Sequence, residues 1–199
     1  MKMNIIYRCE ALLGLGLLLS SFLWSCKTNT IAKNEAYARD MAVVDSLYAQ
    51  TDYKIAIEAI YPFNTAATTQ VANALLWGTG DNANRIDVRG DGNFIKIEND
   101  SVKAYLPFFG ERRLNAGSLG GTNTSIQFNE PLEDLAKQIN TKKKKLKLEF
   151  RANQKGNDND RYEITIEIYS NTHVSVNITP VYRTFIRYDG RLEQFNKDD

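Results

Sequence analysis

Apolar and polar residues alternate every second position along much of this chain. Tyr53, Ile55, Ile57, Ala59 and Tyr61 are interleaved with Lys54, Ala56, Glu58 and Ile60, a period of two that predicts a strand stopped at Pro62. The same pattern predicts strands at Phe94–Glu98, Ser101–Leu106, Thr124–Phe128, Lys145–Arg151, Tyr162–Tyr169, His173–Thr179 and Arg183–Tyr188. Leu146, Leu148 and Phe150 alternate with Lys145, Lys147 and Glu149, so that strand buries one face and wets the other. The turns between strands are short: Asn99-Asp100, residues 152–160, Ser170-Asn171-Thr172 and Thr179–Tyr182. Parallel neighbours need a long crossover, so short turns predict antiparallel pairing.

Only one stretch has a sustained helical period. From Glu35 to Gln50 the apolar positions Tyr37, Met41, Val44, Leu47 and Tyr48 recur at steps of three and four, and Asn34 is placed to cap the helix. Its outer face mixes Glu35, Arg39, Asp40 and Asp45 without a lysine stripe, so packing on the domain is expected rather than membrane binding. Pro131–Ile139 reads as a helical turn, and residues 63–92 carry no clear period. The expected fold is mainly β (α+β): an N-terminal helix packed on an antiparallel β-sandwich or open barrel of about seven to nine strands. Charged outward faces argue against a transmembrane barrel.

The first 26 residues belong to a different kind of segment. Lys2 and Arg8 precede the apolar run Ala11–Leu19, which ends in Leu23-Trp24-Ser25-Cys26. That layout is a secretory signal with a sequence resembling the bacterial lipobox, in which the cysteine is acylated after cleavage before it. The expected organisation is a signal peptide over 1–25, a lipid-anchored tether over 26–34 and one β-rich domain over 35–199. Two or three acyl chains, at ~0.8 kcal/mol per buried methylene, make such an anchor stable. Lys27 rather than an acidic residue after Cys26 points to the outer membrane and its periplasmic face. The membrane, reached through that anchor, is then one partner. Cys9 falls inside the signal and Cys26 is the acylation site, so neither supplies a disulfide, a thiolate metal site or a nucleophile.

Charge narrows the partners further. The chain has 25 basic and 24 acidic residues, a balance that offers no global field for nucleic acid. His173 is the sole histidine, and ordinary metal sites want several His or Cys ligands, so neither a metal nor any other cofactor is expected.

The order of motifs in the middle and C-terminal parts carries a resemblance. Asn93-Phe94-Ile95, Ser101-Val102, Tyr105-Leu106-Pro107-Phe108-Phe109-Gly110-Glu111-Arg112, Gly120-Gly121 and Ile126-Gln127-Phe128 follow one another. Lys142–Lys147, Leu148-Glu149-Phe150, Tyr162-Glu163-Ile164 and a closing Arg183, Ile186, Tyr188, Asp189, Gly190 complete the pattern. In this order they resemble the Bacteroidota envelope-protein family called domain of unknown function 4251, over roughly residues 35–195. The resemblance implies an envelope location and a β-rich fold, and no activity. Ala66–Arg85 is longer than the family's usual link, and Pro131–Ile139 stands where the family is more strand-like.

The candidate ligand-binding residues are Tyr105, Phe108, Phe109, Arg112 and Arg113, because aromatics beside guanidinium groups stack on sugar faces or grip carboxylate and phosphate. The competing expectation is that Phe108 and Phe109 plug one end of the β-structure. Lys142–Lys145 with Lys147 reads as the solvated start of an edge strand, and Asn157–Asp160 as turn residues rather than a calcium loop. Arg89-Gly90-Asp91 reads as part of a turn. The expected role is non-enzymatic, binding an envelope protein or a small ligand. The alternatives are a surface-exposed glycan- or peptide-binding module and, with less support, a carboxylate-based hydrolase.

Overall fold

A computed structural model describes residues 25–63, 69, 73–74, 82–111, 124–132, 134–156 and 160–194. The alternating stretch at its start forms β1 (Tyr53–Pro62), whose neighbours in space are the next strands in sequence and the last one. The others are β2 (Ile86–Asp87), β3 (Phe94–Glu98), β4 (Ser101–Pro107), β5 (Ser125–Pro131), β6 (Ala136–Asn140), β7 (Lys145–Asn153), β8 (Arg161–Tyr169), β9 (His173–Pro180) and β10 (Ile186–Glu193). They form one antiparallel sheet in the order β5-β4-β3-β1-β10-β9-β8-β7-β6, with short β2 added beside β1. The topology is a meander whose first and last long strands pair with each other, β1 against β10 from Lys54↔Glu193 to Pro62↔Ile186.

Gly190 sits at the irregular point of that pairing, where the β1 register shifts between Ile57 and Ala59. A Cβ there would lie 2.2 Å from Ala56 O, so glycine is what lets the two backbones approach.

The sheet curls. Gln127 of β5 accepts from Lys155 N at 2.7 Å, and the Glu130 carboxylate accepts from Asn153 N at 2.6 Å, so β5 runs along the end of β7. Further on, Ala136 pairs with Glu149 and Asn140 with Lys145. β5 and β6 are therefore two parts of one bent strand that pairs first with β4 and then with β7. Where β5 meets β7, one backbone bond and side-chain bridges replace a ladder, giving an open barrel rather than a two-sheet sandwich.

The inner face holds one apolar cluster drawn from every long strand, including Ile55, Ile95, Leu106, Ile126, Leu148, Ile166, Val176 and Ile186. At about 25 cal/mol per Å² of apolar surface removed from water, this shared face is the main stabilising contribution. The chain falls into two units, Met1–Ala42 and Val43–Asp199, and the second holds all ten strands. Helix α1 (Ser25–Ala49) crosses that boundary. Its Val44 and Leu47 join the core, and the Tyr53 hydroxyl donates to Leu47 O at 2.7 Å and Gln50 O at 2.9 Å. Here the barrel has its helix end.

Three expectations need correction. The helix does not start at a cap on Asn34 but includes residues 27–34, since no glycine or proline interrupts 27–49. Tyr37 and Tyr48 are exposed, which leaves a buried stripe of Val44 and Leu47 with Met41 half-buried. Pro131–Ile139 is not a helical turn; its described residues are the end of β5, the bend and most of β6. No helix among the described residues is long and apolar enough to cross a membrane.

Candidate functional site

The opposite end of the barrel, where β4 and β9 finish and β5 and β10 begin, carries the aromatic turn. The chain leaves β4 at Pro107, whose carbonyl accepts from the Tyr188 hydroxyl at 2.9 Å. Tyr188 is fully enclosed, and burial pushes its hydroxyl pKa well above the ordinary range. Phe108 N then donates to Thr124 O at 2.8 Å, which points the Phe108 ring into the barrel, where it is 7% exposed.

Above that ring lies Arg183, 0% exposed, with its guanidinium 5.2 Å from the ring centroid. Arg183 Nη1 donates to Ser125 O at 3.1 Å, and Nε lies 2.9 Å from Asp160 Oδ2. The other Asp160 oxygen accepts from Tyr182 N at 3.0 Å. Nearby, the Gln154 side-chain oxygen accepts from both Gln127 N and the Tyr162 hydroxyl, while Gln154 N donates to Asp160 O at 2.9 Å. A buried ion pair held by this many partners ties four segments of chain together. It fixes a geometry more than it adds net stability, because taking both charges out of water offsets much of their attraction.

The turn after Phe108 is equally constrained. Glu111 N donates to Thr184 Oγ1 at 3.1 Å, and Thr184 N donates back to Glu111 O at 2.9 Å. Gly110 leaves no room for a side chain: a Cβ would stand 2.5 Å from Thr184 Oγ1 and 2.6 Å from the Phe108 ring. With Phe108 turned in, Phe109 turns out and is 45% exposed, and Tyr105 on the outer face of β4 is 47% exposed. Phe63 and Phe185, also exposed, flank the Pro62↔Ile186 rung at the same end.

The five candidate residues thus divide. Phe108 is a core plug, which removes it from the ligand-binding set; Tyr105 and Phe109 are accessible. Arg112 and Arg113 lie outside the described residues. Among the described residues the arginine that stacks on the aromatic turn is Arg183, legible in the sequence only as part of the closing-strand motif. Asp160, read as a turn residue, is also the buried partner of Arg183, while residues 157–159 lie outside the described set. No local pattern joins a residue before β8 to one after β9, so sequence reasoning missed the pair.

The remaining motifs resolve simply. Arg89 folds back onto Asp87, Nη2 to Oδ2 at 2.6 Å, and these hydrogen bonds hold the Asp87 carboxyl down at about 2. Gly90 and Gly92 at φ 86° and 75° make the turn that follows. His173 lies against Tyr169, ring centroids 5.6 Å apart. Among the described residues no group of three or more His, Cys, Asp and Glu is placed to hold a metal ion. Cys26 falls at the start of α1.

No curated protein and no solved structure matches the chain. A family model does, over residues 35–192, from α1 through β10 and including the Phe108–Arg183 plug and the Gly190 crossing. The chain belongs to the family described as Domain of unknown function (DUF4251).

Proposed function

We propose that the protein is a non-enzymatic lipoprotein anchored through Cys26 to the periplasmic face of the outer membrane, and that it binds an envelope partner or small ligand at the loop end of its barrel. The observation that carries this reading is the apolar run Ala11–Leu19 followed by Leu23-Trp24-Ser25-Cys26. The barrel interior supports an external rather than internal binding surface, because inward side chains of all the long strands pack into one apolar cluster. Tyr105 and Phe109 stand on an end whose backbone is held by the buried Arg183–Asp160 pair, the kind of rigid support that recognition needs.

The test is Cys26→Ala in the native host. Palmitate labelling should disappear and the protein should leave the washed membrane fraction; labelling that persists refutes the anchor. A second reading, a surface-displayed module for glycan or peptide, is favoured by the exposed rings of Tyr105 and Phe109. Protease shaving of intact cells separates the two: protection sinks the surface reading, and cleavage sinks the periplasmic one.

A further inference from the structure

The lysine run at the β6–β7 turn departs from its sequence reading. Lys145 is 4% exposed rather than solvated. Its ammonium lies 2.5 Å from Glu167 Oε1 and 3.5 Å from the Tyr169 hydroxyl, above the Tyr169 ring at 5.3 Å. Burial disfavours the charged form, but the bond to Glu167 and its charge, with Tyr169, more than offset this, so the pKa is raised and Lys145 stays cationic.

Lys145 forms part of the wall of an open depression of about 440 Å³ at the helix end of the barrel, lined also by Gln138, Asn140, Lys142, Lys143, Lys147 and the Glu167 carboxylate. The turn above it is fixed: Asn140 Oδ1 accepts from Lys143 N at 2.9 Å, and Lys144 takes a left-handed φ of 50°. Glu167 offsets Lys145 and Glu149, 2.7 Å from Lys147, offsets that residue, so of the four lining lysines Lys142 and Lys143 supply a surplus of two positive charges. Both are exposed at the rim.

We propose that this depression is a binding site for a phosphate-bearing group, either the headgroup of an anionic lipid or free phosphate. Ammonium groups donate without accepting, and Gln138 and Asn140 add amide donors, so the complementary ligand is a compact anion with several acceptor oxygens. Two exposed lysines at the rim admit and release it, while the buried Lys145 holds one wall in place. The site is independent of Cys26 and of the aromatic turn, and it stands or falls separately from both.

The experiment is lysine-resolved acetylation footprinting of the purified full chain. The protein is reconstituted in phosphatidylcholine vesicles, with and without millimolar inorganic phosphate, and in vesicles containing phosphatidylglycerol. Acetylation of Lys142, Lys143 and Lys147 should slow several-fold while Lys54 and Lys103 on the outer face of β1 and β4 react unchanged. Protection by inorganic phosphate in phosphatidylcholine identifies free phosphate as a ligand; protection only with phosphatidylglycerol identifies the lipid headgroup. Added salt should weaken either, as expected for a partly exposed charge site. No protection in any arm, or equal protection at Lys103, overturns the proposal. Lys142→Gln with Lys143→Gln, both on an exposed turn, should abolish protection at Lys147; protection that persists in this variant overturns it too.

Discussion

Arg183→Met should be among the most damaging single substitutions in the barrel. The methionine fills comparable space but removes the charge 2.9 Å from Asp160, the bond to Ser125 O and the guanidinium over Phe108. Among the described residues Asp160 is then left enclosed with the Tyr182 N–H as its side chain's remaining donor. Removing one partner of a buried pair destabilises by ~3–5 kcal/mol, and we expect about 4 here. Asp160→Asn keeps an acceptor for Tyr182 N and leaves Arg183 its bond to Ser125, so about 3 kcal/mol is expected. The double variant strands no charge and should lose only about 2–3 kcal/mol, well short of the sum of the singles. Urea unfolding of the full chain in mild detergent, followed by far-ultraviolet circular dichroism, measures all four proteins. In thermal melts Arg183→Met should fall by roughly 8–16 °C for a domain of this size. A loss below about 1 kcal/mol for Arg183→Met, or single effects that simply add, would show that the pair is not a coupled unit and refute the account of the loop end.

Neighbouring rings give a sharper contrast than their sequence positions suggest. Phe108→Ala should lose about 3 kcal/mol by opening a cavity, whereas Phe109→Ala should stay within about 0.5 kcal/mol; comparable losses would mean the second ring is also core. Gly190→Ala drives a Cβ to 2.2 Å from Ala56 O, a backbone atom that cannot swing aside, so about 3 kcal/mol should be lost. Gly156→Ala meets open space and carries only the strain of φ 98°, ~1–2 kcal/mol, and melts of the two variants decide whether close approach matters more than backbone conformation. Burial, and secondarily Asp52, raises the Tyr53 hydroxyl from 10.0 to about 12. The folded hydroxyl keeps its proton longer than the unfolded one, so this stabilisation is complete below pH 10 and is lost as pH rises through about 12. Tyr53→Phe should lose ~1 kcal/mol at neutral pH and decline less steeply between pH 10 and 12; an unchanged alkaline slope would assign that decline to other groups.

The strands were legible because they bury one face. Predicted Phe94–Glu98 is β3 and predicted Tyr53–Pro62 is β1, residue for residue, since alternation ends where turn residues begin. Arg183 marks where that logic stops: predicted as the first residue of a strand, it lies before β10, which starts at Ile186. Its side chain is buried despite its charge because Asp160, from the other side of the β8–β9 hairpin, meets it. The lysine run fails for the same reason in reverse. Composition makes five lysines look solvated, and only the register placing Lys145 opposite Tyr169 and near Glu167 buries one of them. Pairings across the sheet decide the exposure of charged residues, and a period of two does not encode them.

The bend between β5 and β6 explains the one element read as the wrong type. From Gln127, whose carbonyl accepts from Lys155 N, to Asn140, which pairs with Lys145, the bent strand advances thirteen residues while its partner retreats ten, a difference of three on the bent side. An odd insertion reverses which residues face inward. Ile126 and Phe128 point into the core before the bend, and Lys137 and Ile139 point inward after it. Leu132 and Leu135, on either side of Asp134 with its left-handed φ of 55°, pack against the core together with Ile139. Apolar residues at 132, 135 and 139 have helical spacing, yet here that spacing arises from two strand segments of opposite phase joined by a bulge. The same phase reversal turns Lys137 inward at the helix end, where its ammonium donates to Gln50 O at 2.5 Å and to the Tyr53 hydroxyl at 3.2 Å, and burial lowers its pKa. The bulge that disguised the strand is therefore also what delivers a lysine to the end of α1, satisfying a carbonyl that the finishing helix leaves without an intrahelical partner.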